Sequence, residues 1–100
     1  MNNNKLATEI LMLNKKRDEI DKNNIVENVE YYLGITYPEC KKSAGLRLEK
    51  IIEITGSNKQ TVYSWFNRSR DNVKIPFLKL CMIAEGLNVD IEELLVKNNK

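Results

Sequence analysis

The sequence predicts an all-α fold, a compact helical bundle with one additional helix at the N-terminus. Glycine and proline are scarce, four and two in 100 residues. Apolar side chains recur at steps of three and four along almost the whole chain, the spacing of helices that bury one face. Residues suited to helix caps stand where successive apolar stripes begin. With 42% apolar and 30% charged residues, the chain has the composition of one globular domain and is too apolar for a disordered one.

A first helix is expected over about residues 5–20, where Leu6, Ile10, Leu13 and Ile20 form a stripe that Leu11 and Met12 widen. Asn24, with Glu27 three residues on, caps a second helix whose inner face is Ile25, Val29 and Leu33. Gly34 and then Pro38 end it, and residues 36–43 read as a polar loop. A third helix covers about residues 44–55, with Leu48, Ile51 and Ile52 inward, and Gly56 breaks it. Ser57 or Asn58 caps a fourth helix that buries Val62, Trp65 and Phe66. Residues 67–72 (NRSRDN) are a polar, basic loop. Pro76 opens a fifth helix, with Phe77, Leu80, Ile83, Ala84 and Leu87 inside. Asp90 and Glu93 make a capping box for a last helix through Ile91, Leu94 and Leu95 to Val96. Residues 1–23 are thus read as an N-terminal extension, 24–96 as one domain, and 97–100 as a frayed tail.

Several function classes lose support on composition. There is no histidine, which removes Ser-His-Asp and Cys-His nucleophile pairs and every His-ligated metal site. Cys40 and Cys81 stand alone, with no CxxC pair, and read as two reduced thiols rather than a disulfide. No convergent acid–base pair supports catalysis, and no metal or cofactor is expected. No stretch approaches the roughly 18 apolar residues of a membrane helix, and no basic-then-apolar leader opens the chain, so a cytoplasmic location is expected.

Charge becomes informative once divided along the chain. Residues 1–43 carry seven basic and seven acidic groups, whereas residues 44–79 carry seven basic against three acidic, a net of +4. Residues 80–100 are net −2. A positive excess confined to one third of the chain is what a polyanion-binding face requires, and a chance fluctuation on a solvated surface is the alternative.

The same third holds the informative motif, LEKIIEITGSNKQTVYSW at residues 48–65. Two short helices meet at Gly56, where a left-handed conformation lets the chain turn sharply. Ile51, Ile52, Val62 and Trp65 pack the two helices together. Asn58, Lys59, Gln60, Tyr63, Ser64 and Asn67 are left on the outer side. Those side chains hydrogen-bond base edges and phosphates, and an α-helix fits the major groove.

With its continuation KIPFLKLCMIAEGLNVDIEELL at residues 74–95, the chain resembles the λ-repressor-like (Cro/repressor, XRE) helix-turn-helix regulators of bacteria and phages, over about residues 24–96 with the motif at about 44–67. The resemblance implies a sequence-specific DNA-binding regulator, most simply a repressor acting as a homodimer on double-stranded DNA. By position it implies base reading by Lys59, Gln60 and Ser64. Phosphate or minor-groove contacts would come from Asn58, Tyr63, Asn67, Arg68, Arg70 and Lys74. Leu48 stands where the family often has glutamine, Ile52 where alanine is usual, and Ser57 where an apolar residue is usual. The first helix is an addition to the family pattern.

Blander readings compete at several positions. Trp65 and Phe66 share a stripe with Val62 and are expected in the core rather than stacked on bases. Tyr31, Tyr32 and Tyr37 are expected half-buried, and Tyr63 exposed. The stripe of Leu6, Ile10, Leu13 and Ile20 either covers the domain's own core or forms a seam with a second chain. The latter supports a different function, a helix-turn-helix fold working through a protein partner such as an antitoxin or a phage-encoded inhibitor.

Overall fold

The computed structural model describes residues 3–97, which are all-helical, with no strand among them. Six α-helices follow one another: α1 (Asn3–Glu19), α2 (Lys22–Thr36), α3 (Ala44–Thr55), α4 (Lys59–Phe66), α5 (Phe77–Gly86) and α6 (Ile91–Leu94). A 3₁₀ turn, Pro38–Lys42, joins α2 to α3.

Val26, Val29 and Leu33 of α2 are fully buried, and Ile51, Val62, Leu80, Ile83 and Leu94 meet them from the other helices. Each such side chain contributes about 1.5–3 kcal/mol of transfer free energy when buried. Trp65 belongs to this core and Phe66 packs against it, as the shared stripe with Val62 requires.

The helix starts follow local chemistry. Ser43 Oγ accepts from the Gly45 and Leu46 N–H groups at the start of α3. Asn58 Oδ1 accepts from the Thr61 N–H at 2.8 Å at the start of α4, and the Asp90–Glu93 capping box opens α6. Pro76 is the N-cap of α5, where its missing N–H is harmless. Gly56 takes φ 69°, ψ 7° and donates its N–H to the Ile52 carbonyl at 2.8 Å, so α3 ends on a left-handed residue.

Four expectations are corrected. The cap of α2 is Asp21, not Asn24: Asp21 Oδ1 accepts from the Asn23 N–H, and Asn24 instead donates its amide to the Val96 carbonyl at 2.8 Å. Gly34 does not end α2. It lies buried inside the helix because the Lys41 side chain crosses it, with Cγ 3.0 Å from where a Cβ would stand. Residues 36–43 are not simply a loop, since the 3₁₀ turn buries Cys40 in the core. Tyr31 is 63% exposed rather than half-buried, its ring edge-on to Tyr32, whereas Tyr32 and Tyr37 are half-buried as expected.

The α1 stripe divides in two. Leu13 and Ile20 pack against the core, but Leu6, Ile10, Leu11 and Met12 are 44–69% exposed. The C-terminal half of α1 is tied to the body of the domain, where Arg17 donates to the Ile75 carbonyl at 3.1 Å and Lys74 donates to the Asp18 carbonyl at 3.2 Å. The boundary expected between residues 23 and 24 falls inside the first turn of α2, and most of the tail 97–100 lies outside the described residues.

Gly86 sets how closely α5 approaches α3, because a Cβ there would stand 2.9 Å from Ile54 Cγ2 and 3.0 Å from its Cδ1. Gly86→Ala is expected to destabilise by about 1–3 kcal/mol through overpacking, read as a lower urea midpoint at unchanged slope.

Candidate nucleic-acid interface

α4 is held crosswise on α3 by the Gly56 turn, with Val62 and Trp65 buried beneath it. That burial fixes which side of α4 meets solvent. Lys59, Gln60 and Tyr63 are exposed on it, and neither Lys59 nor Gln60 has a side-chain partner among the described residues. The helix presents its N-terminus, the positive end of its dipole, beside them.

Five of the other six sequence-predicted site residues are engaged inside the protein. Ser64 is half-buried and donates its hydroxyl to the Thr61 carbonyl at 2.6 Å. Asn58 is committed through its side-chain oxygen to capping. Asn67, at the end of α4, accepts from the Ser69 N–H at 3.0 Å and from its hydroxyl at 2.6 Å, and so organises the following loop. Arg68 reaches back to α2, donating to Glu30 at 2.6 Å and to Glu27 at 3.2 Å. Lys74 is spent on the end of α1. Arg70 is exposed and unpaired among the described residues.

Most cations of the +4 segment are likewise engaged within the protein. Arg47 donates to the Cys40 carbonyl at 2.9 Å, Lys79 donates to the Thr55 carbonyl at 3.0 Å, and Lys50 lies 3.4 Å from Glu53 and 4.4 Å from the centre of the Tyr37 ring. Glu27, Glu30 and Asp18 come from the charge-balanced first part of the chain and offset the excess in space. Of the segment's seven cations, Lys59 and Arg70 are the two with no partner among the described residues.

The residue that sequence reasoning missed is Lys22. It is 4% exposed, and its Nζ donates at 2.8 Å to the Trp65 carbonyl and at 2.8 Å to the Asn67 carbonyl, the last polar groups of α4. Beside it, Asn23 donates to the Arg68 carbonyl at 3.1 Å. The first turn of α2 therefore grips the exit of α4, a cation satisfying carbonyls at the negative end of a helix. Burial pulls the Lys22 ammonium below the usual lysine range, against the opposing pull of Asp71 and Asp21. No local signal marks this lysine, because its partners lie more than 40 residues away.

No group of three His, Cys, Asp or Glu suited to a metal ion exists among the described residues. Cys40 and Cys81 are free, and burial pushes both thiols up, so they stay protonated at neutral pH. Among the described residues no helix is long and apolar enough to cross a membrane. No protein-family model, curated protein or solved structure matches the chain.

Proposed function

We propose that the chain is a sequence-specific DNA-binding regulator of the λ-repressor-like type, a small repressor that acts as a homodimer and lays α4 in the major groove. The observation that carries this reading is α4 itself. One side is locked into the core by Val62 and Trp65, and the other offers Lys59, Gln60 and Tyr63 with no side-chain hydrogen-bond partner among the described residues. A lysine suits the O6 and N7 acceptors of guanine, and a glutamine suits the N6 and N7 edge of adenine. Arg70, in the loop that follows, supplies a phosphate contact, whereas Arg68 and Lys74 contact DNA only after leaving their carboxylate and carbonyl partners. Repression would follow from steric occlusion of a promoter by the bound dimer.

The test is fluorescence anisotropy on the duplex just upstream of the protein's own gene, beside a scrambled duplex, across several salt concentrations. The expected result is an affinity about a thousandfold tighter for the native duplex. Arg70, the one unpaired cation per subunit assigned to a phosphate, predicts two phosphates neutralised by a dimer, and so a log–log salt slope of roughly −2. Equal, weak binding to both duplexes argues against a site there.

A second reading is favoured by one observation, the exposed apolar half of α1. Leu6 and Ile10 continue the stripe that Leu13 and Ile20 bury, so a protein partner would meet α1 through Leu6 and Ile10. In that reading the chain acts mainly through the partner, and making Leu6 and Ile10 polar abolishes the association while leaving DNA affinity intact.

A further inference from the structure

A cleft of about 270 Å³ opens where α2, α3 and α4 meet, on the flank of the exposed side of α4. Leu33, Leu48, Ile51 and Phe66 line it, and Tyr63 belongs to its rim. The start of α3 contributes Ala44 and Gly45, the two smallest residue types, beside Arg47. A Cβ at Gly45 would meet nothing but Ser43 Oγ, at 3.4 Å. An apolar concavity with a few polar groups at its mouth is the usual form of a small-molecule site.

The charges at the mouth are Arg47 and Glu30. They are not equally satisfied. Glu30 is held by Arg68 at 2.6 Å, while Arg47 Nε stands 3.8 Å from Glu30 and donates a single hydrogen bond, to the Cys40 carbonyl. A guanidinium has five N–H donors in a planar fork shaped for a carboxylate, so Arg47 keeps donors to give. As for size, a dry cavity of ~150 Å³ holds benzene, and on that scale this one holds about eleven non-hydrogen atoms.

We propose that this cleft is a binding site for a small amphipathic monocarboxylate, with its apolar tail against Leu48 and Phe66, over the buried Leu33 and Ile51, and its carboxylate on Arg47. The consequence for DNA rests on the regulator reading. Tyr63 borders the cleft and also stands on the exposed side of α4, so an occupant displaces a side chain of the reading surface and changes duplex affinity.

The experiment titrates the full chain with octanoate, 1-octanol and octylamine below their aggregation concentrations, following methyl and aromatic NMR signals. Octanoate is expected to shift Leu48, Ile51, Tyr63 and Phe66 saturably and to bind at least about tenfold tighter than octanol, the difference one charge-assisted pair supplies. Gly45→Leu, which adds a side chain at a residue lining the cleft where a Cβ meets only Ser43 Oγ, is expected to weaken octanoate by at least about tenfold. Arg47→Gln should remove the preference for octanoate over octanol. Octanol or octylamine binding as tightly as octanoate, an undiminished response in Gly45→Leu, or no saturable shift each overturns the site. Octanoate binding by a chain with no affinity for any duplex leaves the site standing and removes only the regulator reading. Specific duplex binding without an octanoate response overturns the site alone.

Discussion

Lys22→Met is expected to lower the unfolding free energy by about 3 kcal/mol, because two carbonyls that share one buried ammonium lose their donor together. Methionine matches the length of the lysine stem, so the loss measures the hydrogen bonds to Trp65 and Asn67 rather than a cavity. Urea denaturation checks the magnitude, and a loss under about 1 kcal/mol would mean that water satisfies those carbonyls equally well. The pH dependence gives an independent check. Burial lowers the Lys22 pKa from 10.5, so between the folded value and 10.5 the unfolded chain binds more protons than the folded one. The penalty for the buried ammonium is fully present below the folded pKa and is lost as pH rises to 10.5. Wild-type stability should therefore gain across that window relative to Lys22→Met, which lacks the titrating group.

Lys59→Ala with Gln60→Ala is expected to weaken specific duplex binding by at least about a hundredfold, since each base-edge pair supplies about 1–3 kcal/mol of discrimination. Both side chains are exposed and have no hydrogen-bond or ion-pair partner among the described residues, so stability should stay within about 0.5 kcal/mol of wild type. Anisotropy against the preferred and the scrambled duplex separates the two effects. The preferred duplex should approach the scrambled one, while the scrambled duplex loses only the single charge of Lys59. Unchanged discrimination would show that α4 is not the reading element.

What could be read from the sequence was what local chemistry decides. Gly56 had to be a left-handed stop between two apolar stripes, and Asp90 with Glu93 had to be a cap, because each requirement lies within four residues of its cause. Where several residues could serve equally, local reading chose wrongly. In the run DKNN at 21–24 three side chains are capable caps, and tertiary contact decided for Asp21 by giving Asn24 the Val96 carbonyl. Gly34 looked like a terminator because nothing nearby announces that Lys41 will lie across it.

The candidate site shows the same division. Lys59, Gln60 and Tyr63 were legible because helical spacing from Val62 and Trp65 sets their side. Arg68 was not, because its carboxylates, Glu27 and Glu30, lie 41 and 38 residues earlier. Segment charge overstated the free positive surface for the same reason. The apolar stripe of α1 predicted a buried face, but Leu6 and Ile10 along it stay exposed while Leu13 and Ile20 pack on the core.

Backbone amide NMR during titration with the preferred duplex shows whether the outward side of α4 reads DNA. Perturbations are expected at residues 57–64 and in the loop around Arg70, with the exposed half of α1 unaffected. Perturbations confined to residues 6–12, or none in α4 at saturation, would contradict that reading.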